Sequence, residues 1–229
     1  MMEMDHTVSP INPLPWVVWL LAIPVAAIEI VIGLGSRGLV GGPQAIGWRL
    51  VAVEKYGFMN SVFDWMVENR VYPLEYLIRF VTYPFVHGSF THAIFVVVFI
   101  LALGKMVGEV FRPWAVLVVF FGAAVVGAAV FGAVLNDPVP LIGGYPAVYG
   151  LIGAFTFLLW VDLAAKGANK LRAFRMIAFL LGVQVLFSVL FGGNNQWVAD
   201  VAGFATGFAL SFVVSPGGWQ RALRQIRGV

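Results

Sequence analysis

The residues of this chain that could do chemistry are polar side chains that interrupt long apolar runs. They are His87, His92, Tyr145, Tyr149, Gln184, Ser188, Asp200 and Thr206. Asp200 stands out, because a carboxyl group close to the start of an apolar helix must be paired, protonated or in contact with water. The alternative is an N-cap at the membrane interface, where an acidic group favours the positive end of the helix. Both interpretations stay open at the level of sequence.

The two histidines have a spacing that does not favour a metal site. His87 and His92 are five residues apart, so they do not share a helix face as side chains four apart do. The chain has no cysteine, which excludes disulfides and thiolate ligands. No phosphate loop, nucleophile elbow or metal-protease motif is present. We therefore predict no metal and no cofactor, and we expect each imidazole to hydrogen-bond to nearby backbone.

The segment 141–154 is the one that must position these groups. It holds four glycines, one proline and two tyrosines within an apolar run. Glycine lets backbones approach closely, and proline fits the first turn of a helix, where its missing N–H is not needed. The segment predicts a reentrant turn followed by a membrane helix that starts at about Pro146.

The composition is that of a membrane protein. The chain is 61% hydrophobic and 11% charged, with a mean hydropathy of +0.92, whereas soluble domains are about 25% charged. We predict an all-α, multi-pass protein with one domain over residues 16–214, a tail over 1–15 and a basic tail over 215–229. Apolar runs of sufficient length predict six spans, at about 16–34, 90–108, 114–135, 146–163, 173–191 and 198–214. Glu29 in the first span is interpreted as an interfacial residue.

The long connection between the first two spans mixes aromatic and charged residues. This pattern is typical of short amphipathic helices that lie at the membrane surface. Its five basic and four acidic residues nearly balance, so no nucleic-acid partner is predicted. The lipid bilayer is the partner that the sequence indicates.

The distribution of cations predicts the orientation. With six spans, the side that carries both termini holds nine Lys and Arg residues, and the other side holds five, all in the long connection. Because cytoplasmic loops are enriched in Lys and Arg, both termini are predicted to be cytoplasmic. The absence of a recognisable targeting sequence suits a bacterial inner membrane.

Small residues predict where helices touch. Ala124, Ala128 and Gly132 recur at every fourth position of the third span, and Gly203 and Gly207 do so in the sixth. Such spacing lets membrane helices approach closely. Together with Gly150 and Gly153 of the fourth span, it predicts a tight pairing of spans four and six.

Three segments of the chain carry motifs. Residues 79–92 hold an Arg before a Thr and two histidines five apart, and Glu109 ends the span that follows. Residues 143–150 read Gly-Gly-Tyr-Pro-Ala-Val-Tyr-Gly, and residues 199–207 read Ala-Asp-Val-Ala-Gly-Phe-Ala-Thr-Gly, with Gly203 and Gly207. In this order they resemble the rhomboid family of intramembrane serine proteases: the entry and the end of its second span, the Gly-x-Ser-Gly segment that opens span four, and its Ala-His-x-x-Gly-x-x-x-Gly segment. The resemblance implies a six-helix rhomboid-like bundle with a long first loop.

The residues that depart from the family pattern are those that would do the chemistry. The resemblance places Tyr145 at the nucleophilic serine, Pro146 at the glycine after it and Asp200 at the general-base histidine. Val96 stands at the asparagine that binds the oxyanion. The groups that match are His87, His92, which corresponds to the other side-chain oxyanion donor, Gly143 in the same groove, and Tyr149, which supports the base.

With nucleophile and base replaced, the resemblance implies a pseudoprotease that binds transmembrane segments of client proteins. One alternative is an active intramembrane serine endopeptidase with an unusual residue set. Another is a small transporter with Asp200, His92 and Gln184 along a polar path. As a structural substitute for the lost dyad, we expect a hydrogen bond from the Tyr145 hydroxyl to the Asp200 carboxyl.

Overall fold

The computed structural model describes residues 13–191 and 195–217, and these residues fold into a bundle of helices. Most of the two predicted tails, and the side chain of Ser188, lie outside the described residues. Within the described residues, the β-type pairing is a single antiparallel bridge between Phe58 and Leu141. The all-α prediction is confirmed.

Within the described residues, five helices are long and apolar enough to cross a membrane. They are α1 (Trp16–Ser36), α6 (Phe90–Gly108), α7 (Pro113–Val134), α8 (Tyr145–Ala165) and α10 (Trp197–Val214). The helix predicted as the fifth span is α9, Arg175–Phe191, whose 17 residues would extend roughly 26 Å and reach the short limit for a span. It follows a 3₁₀ segment, Lys170–Phe174.

The long first loop consists of short helices, as its pattern predicts. A 3₁₀ helix at Pro43–Gly47 leads into α2 (Trp48–Tyr56) and α3 (Asn60–Asn69), followed by α4 (Leu74–Leu77), α5 (Arg79–Thr82) and a 3₁₀ turn, Tyr83–Phe85. The loop is tied to the bundle by polar contacts. The buried Tyr83 hydroxyl donates to the carbonyl of Ala124 on α7 (2.9 Å), and the Asn60 amide donates to the carbonyl of Leu135.

Helices α8 and α10 form the tightest pair of the bundle, which confirms the predicted pairing of spans four and six. A Cβ atom added to Gly207 would collide with the backbone of Gly150, and one added to Gly203 would collide with the carbonyl of Pro146. Gly153 lies against the backbone of Phe204 in the same way. The two backbones therefore touch along the predicted glycine positions.

The row of small residues on α7 lies against the first loop. A side chain at Gly132 would meet the rings of Phe63 and Phe58 in the first loop, and Ala124 accepts the hydrogen bond from Tyr83. The first loop therefore packs against this row of α7. It is Gly127, one position outside the row, that lies against the carbonyl of Ala199 on α10.

Helix α1 packs against α6. Gly104 of α6 lies beside Val18, and Gly108 lies beside Pro15. Glu109 follows directly after α6 and pairs with Lys105 one turn earlier, at 4.0 Å and with both side chains about one-third exposed. This motif residue ends the helix far from the other motif positions, which lie near the opposite end of α6.

Candidate functional site

The turn before α8 is built by the first loop. Phe58 and Leu141 exchange backbone hydrogen bonds of 3.0 and 2.8 Å, and the Gly143 amide donates to the carbonyl of Tyr83 (3.0 Å). Gly143 has φ +90°, and a Cβ atom there would overlap the ring of His92. Because both the backbone angle and the space require glycine, this residue fixes how closely the turn approaches the start of α6. Helix α8 begins at Tyr145, one residue before the predicted start.

His87 is anchored to the head of α8. The Gly144 amide donates to its Nε2 atom at 3.3 Å, and its ring lies edge-on to His92, with 4.9 Å between the ring centroids. An accepting Nε2 is unprotonated, so the neutral ring carries its proton on Nδ1. Burial, followed by the charges of His92 and Arg49, lowers the pKa of His87 to about 3.

We expect acid to destabilise the fold through His87. Its pKa falls from 6.5 to about 3 on folding, so the unfolded chain binds the proton first. Stability should therefore fall as the pH drops from 6.5 towards 3, by up to about 1.4 kcal/mol per pH unit. Thermal unfolding in detergent at pH 7.5, 6 and 5 should show a smaller loss for His87→Asn, which keeps an acceptor but does not titrate. Parallel pH curves for the two proteins would contradict this assignment.

The ring of Tyr145 stacks on His92. Their centroids are 4.7 Å apart and the planes differ by 25°. The expected hydrogen bond from Tyr145 to Asp200 is wrong, since the Asp200 Oδ2 atom instead accepts from the Gln184 side chain at 2.8 Å. The stacking turns the ring of Tyr145 towards α6, while the donor to Asp200 comes from α9.

A chain of side-chain hydrogen bonds links α8, α9 and α10. The Tyr149 hydroxyl donates to Gln184 Oε1 at 3.1 Å, and Gln184 Nε2 donates to Asp200. Asp200 is 2% exposed and lies in the first turn of α10 behind the cap residue Gln196. It is therefore not the interfacial N-cap, and Gln184 gains a role as the link between Tyr149 and Asp200.

Val96 closes the site from α6. It is fully buried, and a Cβ atom on Gly144 would lie 2.6 Å from its Cγ1 methyl group. A methyl group donates no hydrogen bond to the turn before α8. Ser89, the serine nearest in sequence to the two histidines, caps α6. Its hydroxyl accepts a hydrogen bond from the backbone amide of His92 at 3.2 Å. Across the described ranges, no serine hydroxyl is hydrogen-bonded to the ring of either histidine.

A cavity of about 260 Å³ opens beside these polar groups, between α6 and α9. Its apolar walls and polar floor are formed by Phe99, Tyr145, Val148, Tyr149, Ile152, Leu180, Val183, Gln184 and Asp200. The cavity thus brings apolar side chains of α6, α8 and α9 next to Gln184 and Asp200.

Comparison with known proteins agrees with this arrangement. The Rhomboid domain family matches residues 74–217, which is more than half of the chain. The chain belongs to the rhomboid family. A protein of Bacillus subtilis (strain 168), named "Putative rhomboid protease YdcA", is 28% identical over 141 residues. The matched residues make up 59% of this chain and 66% of that relative, so the match spans slightly less than two thirds of its length.

One part of this rhomboid's site was not identified from its sequence. Glu29 is 3% exposed, and its two carboxylate oxygens accept from Arg49 of α2 at 2.7 and 3.0 Å. Arg49 also donates to the carbonyl of His87 at 2.6 Å. The feature of the sequence that could have predicted this ion pair is the carboxylate of Glu29 inside an apolar span, because such a group requires a partner.

Proposed function

We propose that this rhomboid-family membrane protein is a pseudoprotease that binds transmembrane segments of client proteins. The observation that carries the proposal is the stacking of Tyr145 on His92 at the head of α8. A phenol ring there stands at the position that matches the family's serine. The gap between α6 and α9 supplies a route by which a client helix reaches this position from the bilayer.

Serine-type hydrolysis needs a hydroxyl nucleophile beside a base that takes its proton and returns it to the leaving group. The Tyr145 ring is held against His92, and the Asp200 carboxyl is bonded to Gln184. Val96 offers no donor to a developing oxyanion, and the loss of one such donor alone costs about 100- to 1000-fold in rate. These three features together support the absence of catalysis.

The gap has the properties of a binding groove for a helix. Its walls are apolar, and α9 carries outward-facing side chains such as Phe179 and Leu186, which are 70% and 54% exposed. Helix association within a bilayer depends on close packing and a few polar contacts. The apolar side chains of the cavity and the polar groups of Gln184 and Asp200 match both needs.

For the orientation, we propose a bacterial inner membrane with both termini cytoplasmic, as the excess of Lys and Arg on that side indicates. The first loop and the head of α8 would then face the other side of the membrane. Reporter fusions to the first loop and to the C-terminus test this placement, and activity of a cytoplasmic reporter in the first loop would contradict it.

The proposed function is tested with a transmembrane reporter peptide in proteoliposomes. We expect no cleavage and no labelling by a fluorophosphonate probe. We expect crosslinking to the peptide from a photoreactive residue at Phe99 or Leu180 in the gap, and little from Phe212, which is 42% exposed on α10 outside the gap. Cleavage abolished by Tyr145→Phe or Asp200→Asn would instead indicate an active protease. Equal crosslinking from all three positions would contradict the proposal that the peptide binds in the gap.

A further inference from the structure

The carboxyl group of Asp200 is only half satisfied within the bundle. The residue is 2% exposed, and its Oδ2 atom accepts from Gln184. Its Oδ1 atom is buried and receives no hydrogen bond from the described residues. A buried oxygen without a donor is costly, and more so in a membrane. Asp200 is one of the residues that line the cavity between α6 and α9.

Asp200 also lacks a counter-charge within residues 13–191 and 195–217. The ion pairs there join Glu29 to Arg49, Glu109 to Lys105 and Asp162 to Lys166, and none involves Asp200. The polar side chains that share its cavity are Tyr145, Tyr149 and Gln184, which carry no positive charge. Acidic groups inside membrane helices ordinarily pair with one another, with backbone or with a cation.

The cavity lies beside this carboxyl group, near the start of α10. Asp200 is the fourth residue of α10, so it lies roughly 5 Å along the helix from its start. Apolar side chains of α6, α8 and α9, including Phe99, Ile152 and Leu180, form the walls. A long side chain with an apolar stem and a charged tip fits such a path, because its stem packs against the walls while its tip reaches the floor.

We propose that the client segments recognised by this protein carry a lysine or arginine about one turn inside the membrane, and that this cation pairs with Asp200. The inference rests on the proposed function and adds the chemistry of the client to it. The Oδ1 atom accepts from the ammonium or guanidinium group, while Gln184 and Tyr149 hold the carboxyl group in place. An uncharged or acidic residue at the same depth leaves Asp200 without a partner.

The test uses the full chain in nanodiscs and three fluorescent peptides, each a leucine-rich span of about 22 residues. The three peptides differ at a single position, one helical turn from one end of the span, which is lysine, norleucine or glutamate. We expect the lysine peptide to bind about tenfold or more tightly than the norleucine peptide, as one charge-assisted hydrogen bond allows. The glutamate peptide should bind most weakly. The Asp200→Asn variant should lose the preference for lysine over norleucine.

The control is Asp162→Asn, which removes a half-exposed carboxylate at the opposite end of α8 and should leave the preference unchanged. Equal binding of the lysine and norleucine peptides to the unmodified protein would overturn the inference and leave the proposed function standing. A preference that survives in Asp200→Asn would also overturn it. Failure of all three peptides to bind would overturn both. The comparison on the unmodified protein decides the question even if Asp200→Asn does not fold.

Discussion

Replacing Gly207 with alanine is expected to lower the free energy of unfolding by about 3 kcal/mol, the upper part of the range for overpacked cores. The added methyl group would collide with the carbonyl oxygen, carbonyl carbon and Cα atom of Gly150. These are backbone atoms of α8, which cannot move aside without separating the two helices. Titration with a denaturing detergent, followed by the loss of helical signal, measures the change.

The matched controls are Gly33→Ala in α1 and Gly182→Ala in α9. A Cβ atom at either position meets nothing within 4 Å, so alanine should be neutral or slightly stabilising through its helix propensity, by up to about 1 kcal/mol. If Gly207→Ala unfolds at the same detergent concentration as these controls, the backbones of α8 and α10 are not in contact at this point.

Removing the cation from the Glu29–Arg49 pair should produce the second large effect. Arg49→Met leaves the carboxylate of Glu29, 4% exposed in its side chain, without a counter-charge. Breaking a buried pair in this way costs about 3 kcal/mol or more, although the 25% exposure of the Arg49 side chain moderates it. Thermal unfolding in mild detergent should show the loss, and the double variant Glu29→Gln with Arg49→Met should recover much of it.

The pair between Asp162 and Lys166 is the natural comparison. It has the same 2.7 Å separation between nitrogen and oxygen, but its side chains are 52% and 66% exposed. Lys166→Met should therefore change the stability by less than about 1 kcal/mol. Similar losses for Arg49→Met and Lys166→Met would show that burial does not set the strength of the Glu29–Arg49 pair.

The features that follow from local patterns could be predicted from the sequence. The start of α8 near Pro146 follows from proline's preference for the first helical turn. The close approach of Gly203 and Gly207 to α8 follows from their spacing on one helix face. Both features depend only on the types and the spacing of a few residues close together in the chain, which can be read from the sequence.

The partners of the polar side chains could not be predicted in the same way. The apolar runs around Gln184 and Asp200 predict that both lie inside the bundle. They do not predict which tyrosine each of them contacts. The direction of the Tyr145 ring depends on His92, 53 residues earlier in the chain, which offers a face for stacking. Glu29 needed a cation, but the first loop offered five, and only the path of the chain selects Arg49.

The link from Glu29 through Arg49 to His87 has a consequence for how the molecule can be divided. The family match begins at residue 74, yet the guanidinium that holds the His87 carbonyl comes from Arg49, and the acid that holds the guanidinium comes from Glu29. A fragment trimmed to the matching residues would lose both, together with the Val18 contact to Gly104. We expect a fragment trimmed to residues 74–217 to be less stable than the full chain, because it lacks Val18, Glu29 and Arg49.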